Sequence, residues 1–313
     1  MPLFSFDNLF RFADELSEPL PVAVAGGADR TVLEALRTAC DRGWVVPFLV
    51  GVASDMRALA AADGIGLDGF TLVDAAEPAA AAVALVRAGQ ARLLMKGQIA
   101  TPSLMTAVLD SDAGLRTGRV ICQVVLMEIR PAGRRFLLAD TGICIQPTLA
   151  QKADILGSAV AVAHTLGVSR PWVAVLAATE TVTESMPETR DAAALQRRNQ
   201  AGEFPGCVVR GPLSFDLAYD RDAAFKKNVR DADFSVADVL LFPNLVSANL
   251  TVKAMMYTAD CRFGGVLCGA GCPVVFMSRA DTTATRLNSL ALALKLASDS
   301  PPIGRPASKN EKV

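Results

Sequence analysis

The chain has 313 residues, 51% of them hydrophobic and 20% charged, a balance that can bury a large core and excludes a disordered polymer. Lys and Arg number 31 against 32 Asp and Glu, a formal net charge of −1, so no general attraction to nucleic acid or to an anionic membrane is expected. Any anionic ligand must be met by locally placed cations.

The opening MPLFSFDNLFRFADEL carries Asp7 and no early basic cluster, unlike a secretory leader, which points to a cytoplasmic protein. PVAVAG from Pro21 reads as a strand that leaves through Gly26 and Gly27 into the helical pattern DRTVLEALRTACDRG. The glycine pair lacks the third glycine of a dinucleotide fingerprint, so an ordinary strand-to-helix turn is expected. WVVPFLVG from Trp44, FTLVD from Phe70 and RLLMKG from Arg92 follow as strands. Lys96 and Gly97 end the last of these, and Thr101 stands as the N-cap of the next helix with Pro102 at its first position. A cation beside a glycine and a helix N-terminus can gather an anion, and the same residues also suit a capped helix with a surface lysine.

VICQVVLMEI from Val120 and RFLLAD from Arg135 are separated only by RPAGR, which leaves no room for a helix and predicts an antiparallel hairpin. That break suggests a junction between two α/β lobes, 1–145 and 146–298, with a helix over 281–298 returning to the first and a polar, Pro-rich tail over 299–313. ILGSAVAVAHTLGV from Ile155 is too short to span a membrane and reads as a buried helix, with His164 packed inside it. WVAVLAA from Trp172, CVVRG from Cys207, DVLLFP from Asp238, GGVLCG from Gly264 and PVVFMS from Pro273 complete the candidate strands. Their alternation with helical segments predicts a mainly parallel sheet flanked by helices. The 7 cysteines lack zinc-type spacing and read as reduced thiols, and the single histidine, read as packed in a helix, argues against a histidine-based triad or a multi-histidine metal site.

In such sheets ligands bind beyond the carboxyl ends of strands. The polar residues expected there are Lys96 and Gly97, Asp140 and Thr141, Thr179 and Glu180, Gly211 and Pro212, and the group Ser278, Arg279 and Asp281 that closes VVFMSRAD. At the last of these, Asp281 or Thr282 can equally cap a helix while Arg279 is solvated.

The runs MKGQIATPSLMTAVL, VAVLAATETVTESMPETRDAAAL, GCVVRGPLSFDLAY, LLFPNLVSANLTVKAMMY and PVVFMSRADTTATRLNSLALAL resemble the phosphate acyltransferases, the phosphate acetyl- and butyryltransferases, over about residues 20–298. The resemblance implies a fold related to the isocitrate and isopropylmalate dehydrogenases, with two α/β domains, a cleft and usually a homodimer. It also implies the exchange of an acyl group between CoA and phosphate: acyl-CoA and phosphate give acyl phosphate and CoA, with no metal and no bound cofactor. Ser278 matches the family serine at the reacting centre and Arg279 the arginine beside it that meets phosphate. Asn249 and Lys253 match the family's P-D-x-x-x-G-N-x-x-x-K segment, and Asp216 its G-P-L-x-x-D. Lys96, Gly97, Thr101, Asp140, Thr141, Gly211 and Pro212, singled out by their place at strand ends, are expected to bind substrate together with Asp216, Asn249 and Lys253. Asn244 and Ala248 depart from the pattern, which has aspartate and glycine there. The aspartate proposed as catalytic in the acetyltransferase branch corresponds to Thr285, whereas Asp281 looks like the butyryltransferase branch.

The chemistry agrees with that grouping. A CoA thiol with a pKa of about 8.5 is only slightly ionised at neutral pH, so a carboxylate such as Asp281 can assist its deprotonation. Ser278 can donate to the oxyanion that forms on the acyl carbonyl, and Arg279 can hold the departing phosphate bidentately. Two alternatives remain open: a non-catalytic CoA- or acyl-phosphate-binding protein, and a metal-dependent hydroxyacid dehydrogenase on the same fold. The nearest acidic cluster for the latter, Asp231, Asp233 and Asp238, is expected to face solvent.

Overall fold

A computed structural model describes residues 2–227, 235–278 and 281–299. Arg279, Asp231, Asp233 and the expected tail beyond residue 299 lie outside them. The chain forms two compact units, one of Met1–Ser5 and Val120–Phe263, the other of Phe6–Arg119 and Gly264–Val313. The boundary therefore falls at Arg119/Val120, not near 145. The Pro/Gly turn that suggested a junction is the tip of a hairpin belonging wholly to one unit.

The chain opens with helix α1 (Phe6–Asp14) and then alternates strictly: β1 (Leu20–Ala25), α2 (Arg30–Asp41), β2 (Val45–Gly51), α3 (Ala53–Ala62), β3 (Thr71–Asp74), α4 (Pro78–Arg87), β4 (Leu93–Lys96), α5 (Thr101–Leu109). Apolar runs make the strands, and local side chains start the helices. Asp29 caps α2, its carboxylate accepting from the Val32 N–H at 3.0 Å. In α5 the expected cap is one residue out: Ala100 holds the cap position without a side-chain bond, and Thr101 lies exposed in the first turn.

The other unit begins with the hairpin β5 (Cys122–Ile129) and β6 (Arg134–Ala139), paired antiparallel as the short turn requires. Then come α6 (Leu149–Thr165), β7 (Trp172–Leu176), α7 (Pro187–Gln200), β8 (Val208–Leu213), α8 (Phe215–Tyr219), α9 (Arg221–Lys226), β9 (Val239–Leu241) and α10 (Leu245–Thr258). A reciprocal capping box of Thr148 and Gln151 starts α6. His164 on that helix is exposed, with Nε2 3.0 Å from the Gly206 carbonyl oxygen, so the expected packed histidine is a surface residue. Asp238 is half-buried, not solvated as expected: Oδ2 accepts from the Trp172 N–H at 2.8 Å, and burial raises its pKa. Finally β10 (Cys261–Cys268) carries the chain back, and β11 (Val274–Val275) and α11 (Thr283–Ser298) complete the first unit.

Within the unit holding both termini of the family-like pattern the strands run β3-β2-β1-β4-β11-β10, parallel except for β10 against β11. In the other they run β5-β6-β9-β7-β8, parallel apart from the hairpin. Each order contains a reversal. From β1 the chain steps outward to β2 and β3 and then returns to the far side of β1 as β4. From β7 it steps to β8 and returns on the far side as β9. Such reversal points leave a crevice at the carboxyl ends of the two strands involved. Among the described residues no helix is long and apolar enough to cross a membrane.

Candidate active site

At the first reversal, β1 and β4 come together so closely that only glycine fits. The Gly97 N–H donates to the Ala25 carbonyl oxygen at 2.9 Å and the Gln98 N–H to that of Gly26 at 2.8 Å. A Cβ on Gly97 would stand 2.0 Å from the Gly26 oxygen. Gly26 itself has φ +83°, the left-handed region that glycine enters without a steric cost. The glycine pair that read as an ordinary turn is half of this close approach. Lys96, the last residue of β4, is 3% exposed, with Nζ 3.4 Å from the Gly97 carbonyl oxygen.

Next to β4 lies β11, whose Val275 pairs with Met95 in parallel register. Its carboxyl end carries Ser278, exposed, whose N–H donates to Asp281 Oδ2 at 2.6 Å, while the Asp281 N–H donates to the Ser278 carbonyl oxygen at 3.2 Å. These reciprocal bonds close a turn that leads into α11, capped by Thr282 through the Thr285 N–H at 3.2 Å. The cap is thus Thr282, which leaves the Asp281 carboxylate to hold the serine turn. Lys96 and Gly97 are therefore gathered with Ser278 and Asp281 on neighbouring strand ends of one unit.

Arg286 is a residue sequence reasoning missed. It is 1% exposed, its Nε donates to Thr31 Oγ1 at 2.8 Å, and a terminal nitrogen lies 3.8 Å from Asp29 Oδ1. Burial lowers its pKa, while Asp29 and Asp281 oppose the shift. It joins the turn after β1 to the first turn of α11, and Thr283 Oγ1 reinforces the link by donating to Glu34 Oε2 at 2.7 Å. The available signal was the polar set Thr285, Arg286, Asn288 and Ser289 inside an otherwise apolar helix, all four buried.

The remaining expected site residues lie in the other unit. Asp140, 4% exposed, spends its carboxylate on its own loop: Oδ1 accepts from the N–H groups of Gln123, Gly142 and Ile143, and Oδ2 from Cys144 at 2.7 Å. Thr141 is buried and donates through Oγ1 to Gln123 Oε1 at 3.0 Å. Asp140 therefore shapes the loop. Gly211 lies inside β8, where a Cβ would meet Val175 at 2.8 Å, and Pro212 follows it buried in the same strand. Asp216 belongs to an ion network with Lys227 and Glu180, Lys227 Nζ lying 3.1 Å from Asp216 Oδ2 and 3.2 Å from Glu180 Oε1. Ser214 Oγ donates to Glu180 as well. Asn249 and Lys253 sit four residues apart on one face of α10. At the second reversal, between β7 and β9, opens a cavity of about 620 Å³. A larger one, about 760 Å³, lies away from the strand ends between α4 and α5, with 6 alanines among its 13 lining residues.

Residues 75–294 match the family model described as "Phosphate acetyl/butaryl transferase". The chain is 38% identical over 281 residues to the phosphate butyryltransferase of Clostridium acetobutylicum, covering 88% of this chain and 93% of that one. It is 40% identical over 212 residues to the phosphate acetyltransferase of Thermotoga maritima, covering 68% and 72%. Among solved structures, a branched-chain phosphotransacylase from Enterococcus faecalis superposes with a TM-score of 0.79 at 28% identity, covering 89% of this chain and 99% of that one. Family match, relatives and fold together define an acyltransferase enzyme that uses phosphate. The chain belongs to the phosphate acetyl/butyryltransferase family.

Proposed function

We propose that this enzyme prefers an acyl group of butyryl size and works as a cytoplasmic homodimer, with Ser278 and Asp281 at its reacting centre. The observation that carries the site assignment is the reciprocal Ser278–Asp281 turn beside Lys96 at the strand ends. In the direction of acyl-CoA synthesis, the CoA sulfur attacks the acyl phosphate carbonyl carbon. The C–S bond forms, the bond from that carbon to the phosphate oxygen breaks, and the thiol proton passes to the Asp281 carboxylate. Ser278 Oγ–H donates to the oxyanion, a contribution of about 3 kcal/mol for one well-placed donor. Phosphate leaves with growing negative charge toward cations. Arg279, carried over by sequence match, is assigned to it, and buried Lys96 adds a second positive charge near the same strand ends.

The acyl preference is supported by Asp281 and by two phosphate butyryltransferases matched over 88% and 94% of the chain. The homodimer is supported by α10, which leaves Val246, Leu250 and Tyr257 63%, 65% and 78% exposed along one side, an apolar stripe suited to a second copy. The test is phosphate-dependent release of CoA from acetyl-, propionyl-, butyryl- and isobutyryl-CoA, followed with a thiol reagent. Butyryl-CoA is expected to give the highest kcat/KM. A higher value for acetyl-CoA overturns the acyl preference, and release indifferent to phosphate overturns the role given to it. A monomer by sedimentation at micromolar concentration removes the dimer.

A further inference from the structure

We propose that Arg286 is a positioning residue for acyl transfer, tying the Asp281 carboxylate to the turn that follows β1 so that it stays aimed at the reacting centre. The inference rests on Asp281 acting as the base and adds what keeps it in place. Every residue it uses belongs to one unit. The reciprocal bonds of Ser278 and Asp281 fix the shape of their turn but not its place. Place must come from α11, which is anchored by buried polar side chains. Ser289 Oγ accepts from the Gly265 N–H at 3.0 Å and lies 2.8 Å from Met277 Sδ, which secures the strand side of the turn. Arg286, one helical turn earlier, secures the other side.

Stability alone does not call for an arginine here. Its side chain has left water, and a buried ion pair is often no more stabilising than apolar residues of the same volume. What the guanidinium supplies is direction. Nε donates to Thr31 Oγ1 at 2.8 Å, and a terminal nitrogen lies 3.8 Å from Asp29 Oδ1, which also accepts from Thr31 Oγ1 at 2.7 Å and from the Val32 N–H at 3.0 Å. The end of β4 packs against the same turn, because the Gln98 N–H donates to the Gly26 carbonyl oxygen at 2.8 Å. Asp281 and Lys96 therefore take their places from one common piece of backbone. Charge acts in the same sense. Burial lowers the Arg286 pKa, and the charges of Asp29 and then Asp281 oppose that shift. By reciprocity the cation favours ionised Asp281, the form that can accept a thiol proton.

Arg286→Met keeps the volume and removes the charge. Asp29 retains its bonds from Thr31 and Val32, so the variant is expected to fold and to melt within about 4 °C of wild type. Its kcat for phosphate-dependent release of CoA should fall by about 10²-fold, the loss that a displacement of about 1 Å brings, with the KM for CoA unchanged. Asp281→Asn, whose amide oxygen can still accept from the Ser278 N–H, should also lose kcat. The double variant should be no slower than Asp281→Asn alone, because Arg286 acts through that carboxylate. Losses that multiply in the double variant, or a folded Arg286→Met enzyme with full kcat, overturn the proposal. Should Arg286→Met fail to fold, Thr31→Val removes the acceptor of Nε with the arginine in place. A smaller loss of kcat at unchanged KM is then expected, and full kcat overturns the proposal. Hydrogen exchange at the Ser278 and Asp281 amides separates this inference from the reading it rests on. Faster exchange at both in Arg286→Met, with β1 and β4 unchanged, supports the tether, and unchanged exchange overturns it. If Asp281→Asn keeps full kcat, Asp281 is not the base, and the exchange measurement still decides whether Arg286 holds the turn.

Discussion

Gly97→Ala strikes where two strand ends approach. The added Cβ would stand 2.0 Å from the Gly26 oxygen, 2.8 Å from its carbonyl carbon and 3.0 Å from the Ala25 oxygen. All three are backbone atoms, so no side chain can swing aside, and the segment after β4 must move by about 1 Å to restore a tolerable contact. That shift breaks the bonds from the Gly97 and Gln98 N–H groups to Ala25 and Gly26. Each is worth about 1 kcal/mol, and the overpacking itself costs about 1–3 kcal/mol, which together give about 3–5 kcal/mol. For a unit of this size the melting temperature should fall by roughly 10 °C in calorimetry. Displacement by about 1 Å beside Lys96 should also lower kcat/KM by about 100-fold. Gly133→Ala is the control: it has φ +59° with nothing within 4 Å of the added atom, so it costs about 1 kcal/mol of backbone strain and leaves activity intact. A Gly97→Ala enzyme that melts within about 2 °C of wild type with full activity would refute the close-approach argument.

Ser278→Ala should reduce kcat by about 10²–10³ with the KM for CoA little changed, because in the proposed role its hydroxyl acts on the oxyanion and not on the bound ground state; an unaltered kcat in a folded variant removes Ser278 from the chemistry. Ser214 and then Lys227 hold Glu180 and Asp216 below their ordinary pKa values of 4.5 and 3.8, while Asp216 and then Glu180 hold Lys227 above 10.5. The carboxylates' stabilisation is present above their ordinary values and lost as pH falls through the lowered ones, whereas that of Lys227 is present below 10.5 and lost as pH rises through its raised value. Thermal unfolding of Lys227→Ala should accordingly vary less than wild type below about pH 4.5, and superimposable profiles would dissolve the network. The Cys144 thiol is pushed up to about 12, by burial first and the Asp140 charge second, and burial pushes Cys272 up to about 12 as well. Mass mapping after brief exposure of the native enzyme to a thiol reagent at about pH 8 should find both unlabelled, and rapid labelling of either contradicts this.

Strands were legible because they are short apolar runs cut off by Gly, Pro or charge, and β1 to β11 fall on the segments so marked. The unit boundary was not, because at Arg119/Val120 a polar, Gly-containing loop runs into an apolar strand as it does at many other strand starts, while the conspicuous Pro/Gly turn belongs to a hairpin. His164 was misplaced since α6 is apolar nearly all round, and periodicity then gives no hint of which side meets solvent. At the site, Ser278 and Asp281 were readable from one strand end, but their mutual bonds were not. Asp140 had the same sequence signature as a ligand-binding carboxylate, and only geometry reveals that backbone N–H groups occupy it. Arg286 escaped notice because its partners, Asp29 and Thr31, lie more than 250 residues away in the chain.

The Asp140 loop reaches further than its own four bonds. Just beyond it the Ile145 carbonyl oxygen accepts from the Leu245 N–H at 3.1 Å, at the start of α10, the helix that supplies one wall of the β7/β9 cavity. Two turns far apart in sequence are thereby pinned by one backbone bond, its acceptor side held in place by the Asp140 carboxylate, like pages held by a single staple. An Asp140→Ala enzyme would loosen the start of α10 and that cavity wall although the aspartate itself lines no part of it. The damage in that variant would then surface at α10, far along the chain from the substitution, and the staple would be found through its pages.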